Sequence, residues 1–466
     1  MNFAQGEKYM NEQNVKALGE AKILGLMVRY STPTILATIV GALYNIVDRI
    51  FVGRALGEDA IAAITVCFAP AMLFLAIAMT ISQGTATMLS IKLGEKKSAD
   101  AEKFLGQAVM LFIVFSAAVA AIAIPFMDEI LIFFGATPKI LPDAKMYFTI
   151  IVAGQIFEQI SYGLNGQVRA EGRPSIAMTT MLIGAGVNVF LDWLFLFPMG
   201  MGVEGAAYAT VIGEAVASLW VLRFYFCGKS YLKIRAKNLR VHWGSFKTMV
   251  SAGSPSLIMQ GLASLAILIF VRQARSYGDE GAIAVVGVTM TATMLMFLPI
   301  VGLSMGIQPI IGYNWGARNY ARVKETFLKA LYGATIVCSV CFIFLQLFPG
   351  LIFSLFLGSD SHVLGMGERA LRILTLVTPL IGVNIVTSGY FQSVKRPKFA
   401  IFITTLRQLL LLVPMFVILP KFFGLDGVWA SYPVSDFLSW VVTMYFTVRE
   451  VRRLDRKEAL RLAADK

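Results

Sequence analysis

Histidine occurs only twice and cysteine four times in 466 residues, and charged side chains make up just 15% of the chain. His242 and His362 both fall in expected loops, too few for a metal centre. Four cysteines do not suggest a disulfide framework. Cys338 and Cys341 form a C-x-x-C, but inside an apolar run, where small residues three apart simply share one helix face. No phosphate-binding glycine loop is present, so the chain has no evident ATP motor. No histidine lies in an apolar run to serve serines or carboxylates as a base, so no enzyme activity and no cofactor is expected.

What fills the chain instead is hydrocarbon. Hydrophobic residues reach 57% and mean hydropathy is +0.71, well beyond a soluble domain of this length. Apolar runs long enough to cross about 30 Å of bilayer recur between short charged breaks. Twelve are expected, at 31–52, 60–91, 104–127, 145–166, 175–198, 205–226, 249–271, 282–312, 328–350, 370–392, 399–420 and 427–448. Residues 1–22 are polar and do not read as a cleavable signal, so the first span is expected to be retained. The reading is an all-α polytopic membrane protein.

The net charge of +13 would suggest nucleic acid if it were evenly spread, but it alternates with topology. With a cytoplasmic N-terminus, 31 of the 41 lysines and arginines fall in inward segments and nine in outward ones, while Arg407 alone lies in mid-span. The positive-inside rule then puts both termini in the cytoplasm of a cell (plasma) membrane protein. The partners implied are lipids and small molecules, not nucleic acid. The basic tail, "VREVRRLDRKEALRLAADK", reads as a solvated stop segment facing anionic lipid.

The two halves repeat. "YSTPTILATIVGALYNIVDRIFVGRALGEDAIAAI" around Pro33 lines up with "SAGSPSLIMQGLASLAILIFVRQARSYGDEGAIAVV" around Pro255, and the match continues. Ser82 and Gly84 correspond to Ser304 and Gly306, Arg173-Pro174 to Arg396-Pro397, Gly205 to Gly427 and Glu214 to Asp436. The expected plan is an N-terminal segment 1–30, a six-helix lobe 31–226, a basic inter-lobe loop 227–248, a second lobe 249–448 and the tail 449–466. Parallel repeats of this kind usually enclose a central site served by rocking of two bundles, so a secondary transporter with alternating access is the natural reading.

Within this apolar background a few polar groups stand out. Asp48 in "LYNIVDRIFVG" aligns with Ile267, Asn188 and Asp192 of "NVFLD" with Leu410 and Pro414, and Thr210 with Tyr432. The polar cluster therefore belongs to the first half only. An ionised residue at mid-bilayer costs at least about 2.5 kcal/mol, so two acids there are expensive without a use. Two carboxylates, an amide oxygen and a hydroxyl suit a small hard cation such as Na+. They suit protons as well, because desolvation and mutual repulsion favour a carboxyl that loads and unloads one. Both ions stay open. Glu158 lies well inside span four, where it would attract a cationic substrate. Tyr44 joins it, and Met290 and Met294, on one face of span eight, offer a compliant wall. Glu214 and Asp436, at equivalent places, read as architecture, with Arg407 the natural partner of Asp436.

At this point the chain resembles the MATE family of multidrug and toxic compound extrusion proteins over essentially its whole length. The similarity rests on the duplicated twelve-span plan, "VDRIFVG", "NVFLD" and "GMGVEGAAYAT", with the "EGRP" and "VKRP" turns similar to the MepA and DinF side of the family. The resemblance implies a V-shaped pair of bundles. It also implies a cation site at Asp48, Asn188, Asp192 and Thr210, and export of cationic, amphipathic drugs or dyes by exchange for H+ or Na+. A monomer is expected. Gln260, Ala263 and Asn384 stand in regions where some sodium-driven relatives carry acids, so no cation site is expected in the second lobe. A flippase for lipid-linked sugars would call for basic residues lining its cavity, and a channel for a continuous polar pore. The sequence shows neither.

Overall fold

The computed structural model describes residues 13–227, 230–278, 280–357 and 363–464. His362 lies outside them, as do the first twelve residues of the N-terminal segment. The described residues are almost all helical. The main elements are α1 (Ile23–Leu56), α2 (Glu58–Gly94), α3 (Ser98–Ala123), α4 (Leu141–Ala170), α5 (Pro174–Leu196) and α6 (Val203–Phe226). In the second half α7 (Trp243–Tyr277), α8 (Glu280–Gly316) and α9 (Tyr320–Leu347) follow. Then come α10, made of Leu364–Leu374 and Thr378–Ser393 bent by 52°, α11 (397–423) and α12 (425–464).

Among the described residues nine helices are long and apolar enough to cross a membrane, and the bent α10 pair passes the same test. The expected twelve spans come into view with two local facts. Residues 397–464 run as one helical stretch broken at Gly424, whose φ of 57° is left-handed and divides α11 from α12. And α4, at 30 residues, is long enough to cross but carries Gln155, Glu158, Gln159, Asn165, Gln167 and Arg169, which lower its apolarity.

Proline and the left-handed turn punctuate both halves at matching places. Pro174 opens α5 and Pro397 opens α11, where a missing N–H costs nothing. Lys96 and Arg318 occupy positive φ at equivalent turns, as do Gly172 and Lys395 in the "EGRP" and "VKRP" turns.

The chain divides into two compact units. Unit 1 is Leu36–Gly253 with the described residues before Lys22, and unit 2 is Lys22–Ile35 with the chain from Ser254 onward. The first turns of α1 thus pack in unit 2, and the first turns of α7 in unit 1. Glycines permit both crossings. A Cβ on Gly306 would sit 2.7 Å from Ser31 Cα, and one on Gly253 would overlap the Thr80 carbonyl oxygen at 1.8 Å. These are close helix approaches of the small-residue kind.

Unit 1 buries clusters around Phe148, Leu131 and Met127, and around Val52, Ile64 and Leu196. The core of unit 2 centres on Phe270, Phe416 and Trp429, with Tyr432 edge-on to Phe270. The linker between the lobes is pinned to unit 1. Glu171 accepts from Ser230 Oγ at 2.5 Å and from the amides of Tyr231 and Leu232, and Glu102 pairs with Arg235 Nε at 2.8 Å. The basic tail is not merely solvated. It continues α12 to Ala464, and Glu458 caps α9 by accepting from the amides of Tyr320 and Ala321, with Lys457 over the Trp315 ring.

A candidate cation site within unit 1

Span five reaches span six through small residues. A Cβ on Gly213 of α6 would lie 2.9 Å from the Gly184 carbonyl oxygen and 3.1 Å from Asn188 Cβ, so only glycine lets α5 and α6 close to this distance. That approach sets Asn188 against Thr210, its Nδ2 donating to Thr210 Oγ1 at 3.4 Å. One turn on, Asp192 is wholly buried. It sits beside Asn188 and within hydrogen-bonding reach of Asp48, brought in by α1. All four residues of the expected cation site therefore meet in unit 1.

Their bonding is incomplete. Both Asp192 oxygens, Asp48 Oδ1 and Asn188 Oδ1 are buried and accept no hydrogen bond from any side chain or amide. Buried acceptors are normally satisfied, so four such oxygens converging on one spot need explaining. The basic residue next in sequence forms no ion pair with them: the Arg49 guanidinium lies over the Phe68 ring at 4.9 Å and reaches Asp48 only through its field. Among the described residues no ion pair includes Asp48, Asp192, Glu158 or Glu214. Two carboxylates in reach of one another, with an amide oxygen and a hydroxyl at hand, form a donor set for one small cation or a shared proton. Among the described residues no three His, Cys, Asp or Glu side chains gather in a group that could hold a metal ion.

Around this pair lies a second group of acids. Glu214 accepts a short hydrogen bond from Ser161 Oγ, and Glu158, three residues before Ser161 on α4, lies close enough to Glu214 for their charges to interact. The Tyr44 hydroxyl is in the field of Glu214, Glu158 and Asp48. Tyr147, which sequence reasoning passed over, approaches Asp48 and Asp192. Nothing in its neighbourhood along the chain marks it, since its partners are distant in sequence.

The remaining expected residues lie in unit 2 and divide. Met290 packs against the hydrophobic core, while Met294, one turn on, is 61% exposed. The expected partnership of Arg407 with Asp436 is present, as a bidentate pair with Nε to Oδ1 at 2.5 Å and Nη2 to Oδ2 at 3.3 Å. It sits on a π-helical turn, Leu406–Leu411, within α11. Glu214 and Asp436 are thus equivalent by position and different in company. The four cysteines are free thiols.

A bundle of membrane-crossing helices that buries acids without ion-pair partners is the architecture of a membrane transporter. The chain belongs to the MatE family, whose profile matches residues 33–194 and 255–418. It is similar to the multidrug export protein MepA of Staphylococcus haemolyticus (strain JCSC1435), 24% identical over 448 residues covering 96% of this chain and 98% of that one. MepA of Staphylococcus aureus (strain MRSA252) is 23% identical over 453 residues, covering 97% and 100%. Among solved structures, MATE in the bent conformation superposes with a TM-score of 0.90 at 26% identity, covering 96% of this chain and 99% of that one. An outward-facing multidrug resistance MATE family transporter of the MOP superfamily gives 0.89 at 26%, covering 95% and 99%.

Proposed function

We propose that this protein is a secondary active multidrug exporter of the cell membrane, with both termini cytoplasmic, working as a monomer by alternating access. It exchanges cationic, amphipathic drugs or dyes for an inward-moving H+ or Na+. The observation that carries the reading is Asp192, wholly buried, opposite Asp48, with both oxygens free of any donor. A charge in that position is tolerable only if something neutralises it in the working cycle. Asp48, Asn188, Asp192 and Thr210 hold the coupling ion, whichever it is, with Asn188 fixed by its bond to Thr210. Within unit 1, Tyr44 and Glu158 serve drug binding; within unit 2, Met294, with Met290 behind it in the core, offers apolar drug contact. Glu158 provides counter-charge and the ring and thioether provide apolar, deformable contact. Export names among the relatives support the same assignment.

The test is ethidium efflux from proteoliposomes under a sodium gradient and a pH gradient imposed separately. One gradient should drive efflux in the wild type and fail to do so in Asp192→Asn. Efflux of equal rate in the variant would overturn the coupling role, and efflux with neither gradient in the wild type would overturn antiport itself.

A further inference from the structure

Helix α12 buries a polar stripe where a core face would ordinarily be apolar. Asp436, Ser439, Thr443, Thr447 and Glu450 recur at intervals of three and four residues, and none is more than 3% exposed. Against it lies the second half of α10, parallel and in fixed register. Thr387 Oγ1 meets Thr447 Oγ1 at 3.1 Å, and the Tyr390 hydroxyl donates to Glu450 Oε1 at 3.2 Å. Both pairs are sixty positions apart, so Asn384, one turn before Thr387 on the same face, comes level with Thr443.

The ends of the stripe are saturated and its middle is not. At one end Asp436 holds Arg407, and at the other Glu450 takes Arg396 at 2.5 Å and Arg453 at 3.1 Å besides Tyr390. Between them Ser439 Oγ, Thr443 Oγ1 and both amide atoms of Asn384 find no partner among protein groups. Asn384 is itself 4% exposed. Four unpaired polar atoms in one seam are far above what a dry core tolerates. Successive hydroxyls four residues apart stand about 6 Å apart along the helix, the span that one water bridges with two hydrogen bonds.

We propose that unit 2 holds a column of ordered water along this seam, running about 21 Å from the Arg407–Asp436 pair to the Glu450 cluster. The ligand is water, held by Ser439, Thr443 and Asn384 in the middle. The consequence is for the ion pair. Separating a guanidinium from a carboxylate in a dry membrane interior is prohibitive, whereas water at the inner side of Asp436 lets the pair loosen while the helices shift. This proposal does not depend on which ion the unit 1 site takes, or on whether the protein exports drugs.

The test uses the full chain in lipid nanodiscs and two readings. Hydroxyl-radical labelling reports residues beside ordered water even when bulk solvent does not reach them. Tyr390, which is wholly buried, should label at least about tenfold faster than the equally buried Phe416 of the apolar core, and the excess should vanish in Ser439→Ala/Thr443→Val. The melting temperature gives the sign. Valine matches threonine in shape, so if the hydroxyl is dry its removal stabilises, and if it holds water the variant melts lower, by about 2–4 °C. Thr443→Val alone serves if the double variant does not fold. Labelling of Tyr390 no faster than Phe416, or a variant that melts at or above wild type, overturns the column.

Discussion

Asp48 shares its stretch of α1 with Arg49, and a carboxylate next to a guanidinium invites the view that they neutralise each other. Their side chains part instead, Arg49 to the Phe68 ring and Asp48 to Asp192. The ring offers the cation a weak attraction of about 0.5–1 kcal/mol, enough to set a rotamer but not to compensate a buried acid. Asp48→Asn keeps the size and removes the charge. At matched expression we expect at least a tenfold loss of gradient-driven dye efflux with the melting temperature held or raised, since a like-charged neighbour is removed. Normal efflux from that variant would return Asp48 to a structural role.

At the scale of the helix, the site depends on how closely α5 and α6 approach. Gly213→Ala puts a methyl against the Gly184 carbonyl, and overpacking of this kind costs about 1–3 kcal/mol. The expected result is a lower melting temperature together with weakened ion dependence of dye binding, because Asn188 is carried away from Thr210. A fall in stability with the ion response intact would separate the two effects. The linker offers a second element-level test. Burial pushes the Glu171 carboxyl up from an ordinary 4.5 to about 7, against the hydrogen bonds from Ser230 and the Leu232 amide that favour its charged form. The folded chain then binds the extra proton between those two values, so this group's contribution to stability is full below about 4.5 and declines as pH rises toward 7. Melting curves from pH 4.5 to 8 should show that decline in the wild type and a flatter profile in Glu171→Gln. Equal slopes would refute the assignment.

Across the whole molecule the duplication is carried by architecture and broken by chemistry. Asp436→Asn strands Arg407 in the interior of unit 2, and loss of one partner of a buried pair costs about 3 kcal/mol or more. Its positional twin Glu214 holds only Ser161, so Glu214→Gln should leave the melting temperature near wild type. Comparable destabilisation by the two substitutions would show that Glu214 has an ionic partner after all. The same contrast marks how far the sequence could be read. Position in the repeat made Glu214 and Asp436 look alike, and the expected bond from Arg407 to Asp436 was there to be inferred because only one basic residue lies in mid-span. Tyr147 and Ser161 could not be inferred, since their partners Asp48, Asp192 and Glu214 lie between 45 and 99 positions away.

Hydropathy, charge alternation and the internal repeat are sums over neighbouring residues, and they settled by themselves that this chain is a duplicated bundle of membrane-crossing helices. Helical spacing likewise puts Asn188 and Asp192 on one face. Which acid meets which partner is a property of distance through space, fixed by glycine contacts such as Gly213 on Gly184 and Gly253 on Thr80. Only the tertiary structure therefore decided that Asp48 faces Asp192 without a donor, and that the first turns of α1 pack in unit 2. It decided too that the seam between α10 and α12 is polar from end to end. A linear pattern records which side chains are costly to bury; the packed helices determine whether that cost is met by an ion pair, by water or by a transported ion.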